Sequence, residues 1–135
     1  MTKNLKILAI SMGVLCISFT VKNNNDQKPW PVPDNFVKMK NPIASSASTI
    51  ADGKALWTTH CKSCHGAKGL GDGPKSAQLK TEPGNFSLAA VQSQTDGALF
   101  YKLSEGRGDM PNFKKKLPEA DERWSIVNYI RSLKK

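Results

Sequence analysis

Two cysteines and one histidine stand within five consecutive residues, in the run Cys61-Lys62-Ser63-Cys64-His65. The third cysteine of the chain, Cys16, lies in an apolar N-terminal segment. Two cysteines separated by only two residues cannot form a disulfide framework that ties distant parts of a domain together. Their role must therefore be local, and the fold has to bring both thiols and the imidazole to one site.

This run fits the Cys-x-x-Cys-His pattern of c-type haem attachment. In such a site the two thiols add across the two vinyl groups of haem as thioethers, so their spacing must match the separation of the vinyls. The residue that follows brings an imidazole to the iron. The pattern predicts one covalently bound haem c, attached to Cys61 and Cys64 and ligated through its iron by His65.

Three other uses of the run stay open. A redox Cys-x-x-Cys is expected beside a βαβ pattern, and the sequence shows none. A zinc site needs a fourth ligand, but the only other histidine is His60, which adjoins Cys61. A local disulfide between Cys61 and Cys64 leaves the position of His65 unexplained. Haem attachment accounts for all three side chains.

Residues 1–21 have the layout of a secretory signal peptide, with Lys3 and Lys6 ahead of an apolar run over residues 7–21. The run is shorter than the roughly 20 residues of a membrane-spanning helix, so we expect cleavage. An uncleaved anchor is the alternative, because no Ala-x-Ala cleavage site is present. Cys16 follows a bulky leucine, which argues against lipoprotein processing. We therefore expect a periplasmic or otherwise extracytoplasmic protein, bound to a membrane only if residues 1–21 remain attached.

The chain beyond this leader is basic. The net charge of the whole chain is +9, of which Lys3 and Lys6 supply two, so the rest keeps a net charge near +7. Such a charge favours a partner with an acidic docking surface. A nucleic-acid partner is not expected, because the leader exports the chain and its basic residues are not interleaved with stacking aromatic residues. The lysines expected to serve docking are Lys62, Lys68, Lys75, Lys80, Lys114, Lys115 and Lys116.

The composition divides the chain into three parts. After the leader, residues 22–48 contain four prolines, an asparagine run and a Ser/Ala cluster, which is typical of a linker or of an extended arm along a domain. Residues 49–135 are expected to form one domain. Ser48 or Thr49 is the predicted N-cap of its first helix, and Asp96 caps a shorter middle helix that stops at Gly106.

Helical spacing marks the buried faces of the first and last helices, whereas no segment shows the alternation of a strand. The fold class predicted from this pattern is all-α. Residues 66–95 lack a sustained period, and a segment of this length without regular structure is expected in a compact domain only where it has a function, such as wrapping a prosthetic group. The residues predicted to be buried on the two helices are Ile50, Gly53, Trp57 and Cys61, then Trp124, Ile126, Val127, Tyr129, Ile130 and Leu133.

Over about residues 49–133 the chain resembles the class I c-type cytochromes. Gly53 and Trp57 on the first helix, with Ile126 and Tyr129 on the last, are similar to the residues that pack the crossed terminal helices of that family. The resemblance implies the class I cytochrome c fold, in which these helices and long loops surround one covalently bound haem. It also implies that the carbonyl of Pro74 accepts a hydrogen bond from the ligand histidine. Without the haem motif, Pro74 would be interpreted as part of a simple turn.

Met110 stands in the run Gly108-Asp109-Met110-Pro111, where the resembled family places its axial methionine. A lone methionine more often fills a gap in a core, but the polar turn around Met110 gives no reason for a core residue. Met39 is the other candidate outside the leader. A histidine and a methionine together are typical of electron transfer rather than oxygen chemistry. The residues expected to wall the haem are Leu70, Leu79, Phe86, Phe100, Tyr101 and Phe113.

The predicted function is one-electron transfer by a His65/Met110-ligated haem c, shuttling between redox proteins outside the cytoplasm. Such a chain is an electron carrier and not itself an enzyme. One alternative is a haem sensor or small peroxidase with an open sixth position, for which Arg107 is the only candidate distal residue. Another alternative is the haem c subunit of a larger oxidoreductase.

Overall fold

A computed structural model describes residues 29–135, and the predicted signal peptide lies outside these residues. Within residues 29–135 the chain forms α-helices and one 3₁₀ turn, Ser76–Gln78, with a single isolated antiparallel bridge and no strand. The all-α prediction is confirmed. No helix in this part of the chain is long and apolar enough to cross a bilayer. The helices are α1 (Asp34–Val37), α2 (Ala47–His60), α3 (Lys62–His65), α4 (Ala89–Gln92), α5 (Asp96–Glu105), α6 (Phe113–Lys116) and α7 (Ala120–Ser132).

The closest association between helices is that of α2 with α7. It depends on Gly53, because a Cβ atom at this position would collide with the backbone carbonyl of Ser125 and lie 3.0 Å from Cβ of Tyr129. Next to this contact the rings of Trp57 and Tyr129 lie 5.5 Å apart. Ile126 of α7 is fully buried. The faces predicted for the first and last helices are therefore the ones that meet in the core.

Both helix starts inferred from the sequence lie one or more residues away from the observed ones. The N-cap of α2 is Ser46, because the hydroxyl of Ser46 accepts a hydrogen bond from the backbone N–H of Thr49 while the Thr49 hydroxyl accepts one from the N–H of Ser46. This reciprocal capping box is more favourable than a single cap at Ser48 or Thr49. The N-cap of α5 is Thr95, and the carboxylate of Asp96 instead binds Arg131 at 2.7 Å.

Residues 29–46 form an arm that lies against the helical domain. Phe36 of α1 packs on Tyr101 of α5 with ring centroids 4.9 Å apart. Further along, the side-chain amide of Asn41 donates a 2.8 Å hydrogen bond to the Asn128 side chain, and that of Asn128 donates to the carbonyl of Ile43. These polar contacts join the arm to the buried surface of α7.

Residues 66–95 contain no helix longer than four residues, in agreement with the missing period in their sequence. The segment folds back on itself, because the N–H of Phe86 donates a 2.7 Å hydrogen bond to the carbonyl of Gly69. This closure brings the Phe86 ring to 4.9 Å from the ring of His65 and 5.3 Å from that of Trp57. The loop therefore forms one wall beside the histidine of the haem motif.

Candidate haem site

The haem motif, residues 61–65, lies where α2 ends and α3 begins. Cys61 is buried at the junction, and its carbonyl accepts a 2.9 Å hydrogen bond from the N–H of His65. The indole N–H of Trp57, itself buried, donates a 2.9 Å hydrogen bond to the carbonyl of Gly66 just after the motif. These bonds hold Cys61, Cys64 and His65 on one short turn that faces a cavity.

This central cavity has a volume of about 970 Å³, which is at the upper end of the size range of small-molecule and cofactor sites. It is lined by Cys61, Cys64 and His65 on one side and by Met110 on another. The structure thus brings four of the five predicted site residues to one place. The large apolar residues around them are Trp57, Leu79, Phe86, Val91, Leu99, Leu103, Phe113, Ile126 and Ile130.

The aromatic residues of α5 were expected in this wall, and they face elsewhere. Phe100 stacks on Trp124 with ring centroids 3.9 Å apart, and Tyr101 packs on Phe36. The wall positions on α5 are taken by Leu99 and Leu103, and those on α7 by Ile126 and Ile130. Their four-residue spacing, which places both members of each pair on one helix face, was the signal available in the sequence. Leu70, also expected in the wall, does not line the cavity.

His65 is suited to bind a metal. Burial lowers the pKa of His65 to about 4, while a backbone hydrogen bond with Pro83 acts in the opposite direction. The ring is therefore neutral near pH 7, the form in which imidazole ligates metals. Within residues 29–135 its Nδ1 atom is buried without a hydrogen-bond partner. Leaving this buried nitrogen unpaired costs about 1–3 kcal/mol, a cost that fits a site shaped for a bound group rather than a packed core.

Both cysteines of the motif are free thiols, with Cys61 buried and Cys64 partly buried. Burial raises the pKa of Cys61 to about 12, and the neighbouring Cys64 adds to this shift. Two unoxidised thiols that line an apolar cavity beside a neutral imidazole are the donor set that covalent haem c requires. Cys61, Cys64 and His65 therefore fit a covalently bound haem c.

Met110 is presented to the cavity by a tight turn, residues 106–111, which we call the Met110 turn. The N–H of Arg107 donates to the carbonyl of Met110 and the N–H of Met110 donates to the carbonyl of Arg107, both at 3.0 Å. The carboxylate of Asp109 accepts a 2.7 Å hydrogen bond from the N–H of Lys80, which ties this turn to the loop over residues 66–95. Met39 lies instead on the arm, against Gly97. Met110 remains the predicted axial ligand.

Pro74 is the one predicted site residue that lies away from the cavity. It is exposed, in a turn whose neighbours hydrogen-bond to the haem motif: the N–H of Gly73 donates to Cys64 and that of Lys75 donates to Ser63. The backbone group that contacts the His65 ring is that of Pro83. The role inferred for Pro74 from the resemblance stays a prediction.

Comparisons with known proteins agree with this geometry. The family model described as cytochrome c matches residues 50–134, whereas a comparison with curated proteins finds no match. Among solved structures, one chain of the Kuenenia stuttgartiensis reducing HAO-like protein complex Kustc0457/Kustc0458 is 27% identical with a TM-score of 0.62, and the alignment covers 82% of this chain and 53% of that one. The present chain thus spans about half the length of that protein.

Two further solved structures are similar. The KustC0563 c-type cytochrome is 31% identical with a TM-score of 0.55, over 62% of this chain and 99% of that one. Cytochrome CL from the marine methylotrophic bacterium Methylophaga aminisulfidivorans shares the fold, with a TM-score of 0.52 and 24% identity over 65% of this chain and 57% of that one. Since the family match spans more than half of the chain and contains the whole haem motif, the chain belongs to the cytochrome c family and is a c-type cytochrome with covalently bound haem c.

Proposed function

We propose that this cytochrome carries single electrons between redox proteins outside the cytoplasm, through one haem c whose iron is ligated by His65 and Met110. Haem-based electron transfer follows from the family. The observation that supports the finer proposal is that His65 and Met110 line the same cavity as the two attachment cysteines. Haem c supplies an iron that accepts and releases one electron.

The residues of the chain have separate roles in this proposal. Cys61 and Cys64 would hold the cofactor irreversibly as thioethers, and the neutral imidazole of His65 would ligate its iron. The soft thioether of Met110 favours ferrous iron and so raises the reduction potential. The apolar side chains of α5 and α7 keep water away from the cavity, which acts on the potential in the same direction.

An electron carrier is favoured over a peroxidase by the surroundings of Met110. If His65 and Met110 both ligate the iron, no position would be left open for a peroxide. Arg107, the candidate distal residue, donates a 2.9 Å hydrogen bond to the carbonyl of Pro29 and stacks on Trp30 at 4.4 Å. Its guanidinium is thus engaged by the arm.

The exposed lysines support docking to an acidic partner. Lys62 lies between the two attachment cysteines and is exposed, and the exposed Lys80 lines the central cavity. Lys115 is exposed on α6, the helix whose Phe113 lines the cavity. Lys114 forms only a loose, solvent-exposed ion pair with Glu105 at 3.6 Å, and such pairs contribute little. Exposed positive charge is therefore present between the attachment cysteines, at Lys80 of the cavity lining and on α6.

A second candidate function keeps the same chemistry but makes the chain a subunit of a larger oxidoreductase. The similar Kuenenia stuttgartiensis chain belongs, by its title, to a protein complex. A permanent complex would replace transient docking with a fixed interface. The two candidates therefore differ in association and not in the haem site.

The ligand assignment is tested with Met110→Ala, using Met39→Ala as the matched control. We expect reduced Met110→Ala protein to bind carbon monoxide, which the parent excludes, and its reduction potential to fall, because only water or an added ligand can then take the sixth position. Met39→Ala should behave like the parent. If Met110 only packs, its truncation costs about 2–5 kcal/mol of stability with an unchanged low-spin spectrum. That result, with no carbon monoxide binding, would overturn the assignment.

A further inference from the structure

The arm contributes to the central cavity although it lies outside the matched family range, residues 50–134. Pro29 and Trp30 line the cavity together with Arg107 and Met110. The wall on the methionine side is therefore completed by a segment that the cytochrome c domain itself does not supply. Trp30 is the large side chain that the arm adds to this wall.

Trp30 contacts two cations of the helical domain. The guanidinium carbon of Arg107 lies 4.4 Å from the centroid of the Trp30 ring, and Nζ of Lys102 lies 5.8 Å from it. Arg107 also donates a 2.9 Å hydrogen bond to the carbonyl of Pro29. The negative face of an indole ring attracts cations, so Trp30 stabilises two like charges on one side of the cavity.

Arg107 is also part of the Met110 turn. Two backbone hydrogen bonds of 3.0 Å join Arg107 to Met110 in both directions, so the backbone positions of these two residues are coupled. The residue between Arg107 and Asp109 is Gly108, with φ of +59°, and a Cβ atom there would meet nothing within 4 Å. The tip of the turn thus makes no packing contact of its own at Gly108. The position of the tip therefore depends on contacts made by Arg107 and Asp109.

The arm is anchored independently of the Met110 turn. A Cβ atom on Gly97 would collide with the carbonyl of Phe36 and lie 2.8 Å from Cβ of Met39, so the arm backbone rests directly on α5. Asn41 forms the hydrogen bond to Asn128 that fastens the other end of the arm to α7. Trp30 is therefore presented from a fixed support.

We propose that Trp30 is a positioning residue for Met110: it holds Arg107, and through the Arg107–Met110 backbone pair it keeps the methionine at the iron. This inference rests on the proposed ligation by Met110. The ring does not touch the reacting atoms, and it acts by resisting the outward movement of the Met110 turn. Losing Trp30 should therefore make the sixth position easier to open without removing the ligand.

The test is the affinity of the ferric holoprotein for imidazole, which competes with methionine for the sixth position. Trp30→Ala should raise this affinity by about two- to five-fold, the range that corresponds to loss of one cation–π contact at an exposed site. Trp30→Phe keeps an aromatic face and should remain close to the parent, whereas Trp30→Leu keeps apolar bulk without that face and should resemble Trp30→Ala. Val37→Ala, on the exposed part of the arm, is the matched control and should change nothing.

The outcomes separate positioning from packing. If Trp30→Ala and Trp30→Leu lower thermal stability but leave the imidazole affinity unchanged, Trp30 only packs and the proposal is wrong. It is also wrong if Trp30→Phe opens the site as much as Trp30→Leu, or if Trp30→Leu still raises the affinity when combined with Met110→Ala. A sixth position that stays closed in Met110→Ala alone would instead contradict the ligand assignment of the proposed function.

Discussion

The histidine side of the central cavity is supported by buried hydrogen bonds, whereas the methionine side is supported by a turn with an exposed tip. On the first side, Trp57 is 2% exposed and its indole N–H holds the carbonyl of Gly66 directly after the haem motif. On the second side, Arg107, Gly108 and Asp109 are all exposed. One wall of the cavity is therefore fixed by the helical core, while the other is held by a few contacts that solvent can reach.

This difference fits the separate roles proposed for the two sides, which are attachment of the haem and ligation of its iron. A covalently attached cofactor needs an invariant attachment site, which the end of α2 provides. The proposed ligand Met110 lies on the side that opens with less disruption of the core, because local opening involves segments with few buried contacts. We therefore expect substitutions on the histidine side to affect attachment and folding, and those on the methionine side to affect ligand exchange.

The largest expected effect is the loss of covalent attachment on the histidine side. In Cys61→Ala/Cys64→Ala protein no thioether can form, so acid acetone should extract all pigment, whereas the parent should keep its colour through the same extraction. Lys62→Ala, inside the motif but without a thiol, is the control and should also keep its colour. Pigment extracted from matured parent protein would contradict the covalent attachment.

A smaller effect is expected when salt screens the basic surface. Electrostatic steering raises association rates by about ten- to a thousand-fold, and it is screened beyond about 8–10 Å at ordinary ionic strength. Electron exchange with an acidic redox protein should therefore slow as salt rises. Lys62→Glu, between the attachment cysteines, and Lys115→Glu, on α6, should each weaken this salt dependence if the partner approaches at that position. Rates that do not change with salt would favour a permanent complex over transient docking.

How much the sequence predicted also differs between the two sides. The haem motif is contiguous, so its three residues were identified without knowledge of the fold, and the four-residue spacing of α7 identified Ile126 and Ile130 as buried. Met110 required the resemblance, because its polar turn argued only against a core residue and did not by itself identify a ligand. For residues 22–48 the sequence left a linker and an extended arm as alternatives, and the contacts of the arm could not be derived, since the hydrogen bond from Asn41 to Asn128 joins residues 87 positions apart.

Other differences between the predicted and the observed structure arise where neighbouring residues suit the same role. Ser46, Ser48 and Thr49 all suit an N-cap, and only the reciprocal bonds between Ser46 and Thr49 decide among them. On the short helix α5, the four-residue spacing of Leu99 and Leu103 indicated the face toward the cavity, but the adjacent Phe100 was expected there instead. Phe100 instead stacks on Trp124 of α7 and so lies away from the cavity. This contact can be recognised only when both helices are placed.

The smallest effect concerns Asp109, whose carboxylate accepts the 2.7 Å hydrogen bond from the N–H of Lys80. Because this bond is exposed, its removal in Asp109→Ala should lower the free energy of unfolding by only about 0.5–1.5 kcal/mol in a denaturant titration. The bond nevertheless ties the Met110 turn to the loop on the histidine side, so the same variant should bind imidazole in the ferric state more tightly than the parent.

Asp52→Ala removes the same charge from the exposed surface of α2 and is the control for Asp109→Ala. It should leave imidazole binding unchanged, because α2 is far in sequence from the Met110 turn and supports the histidine side. Equal gains in the two variants would mean that net charge, and not the tie to Lys80, governs opening. Stability lost in Asp109→Ala without any gain in imidazole binding would mean that the turn is held as firmly as the haem motif, and the contrast between the two sides of the cavity would then be wrong.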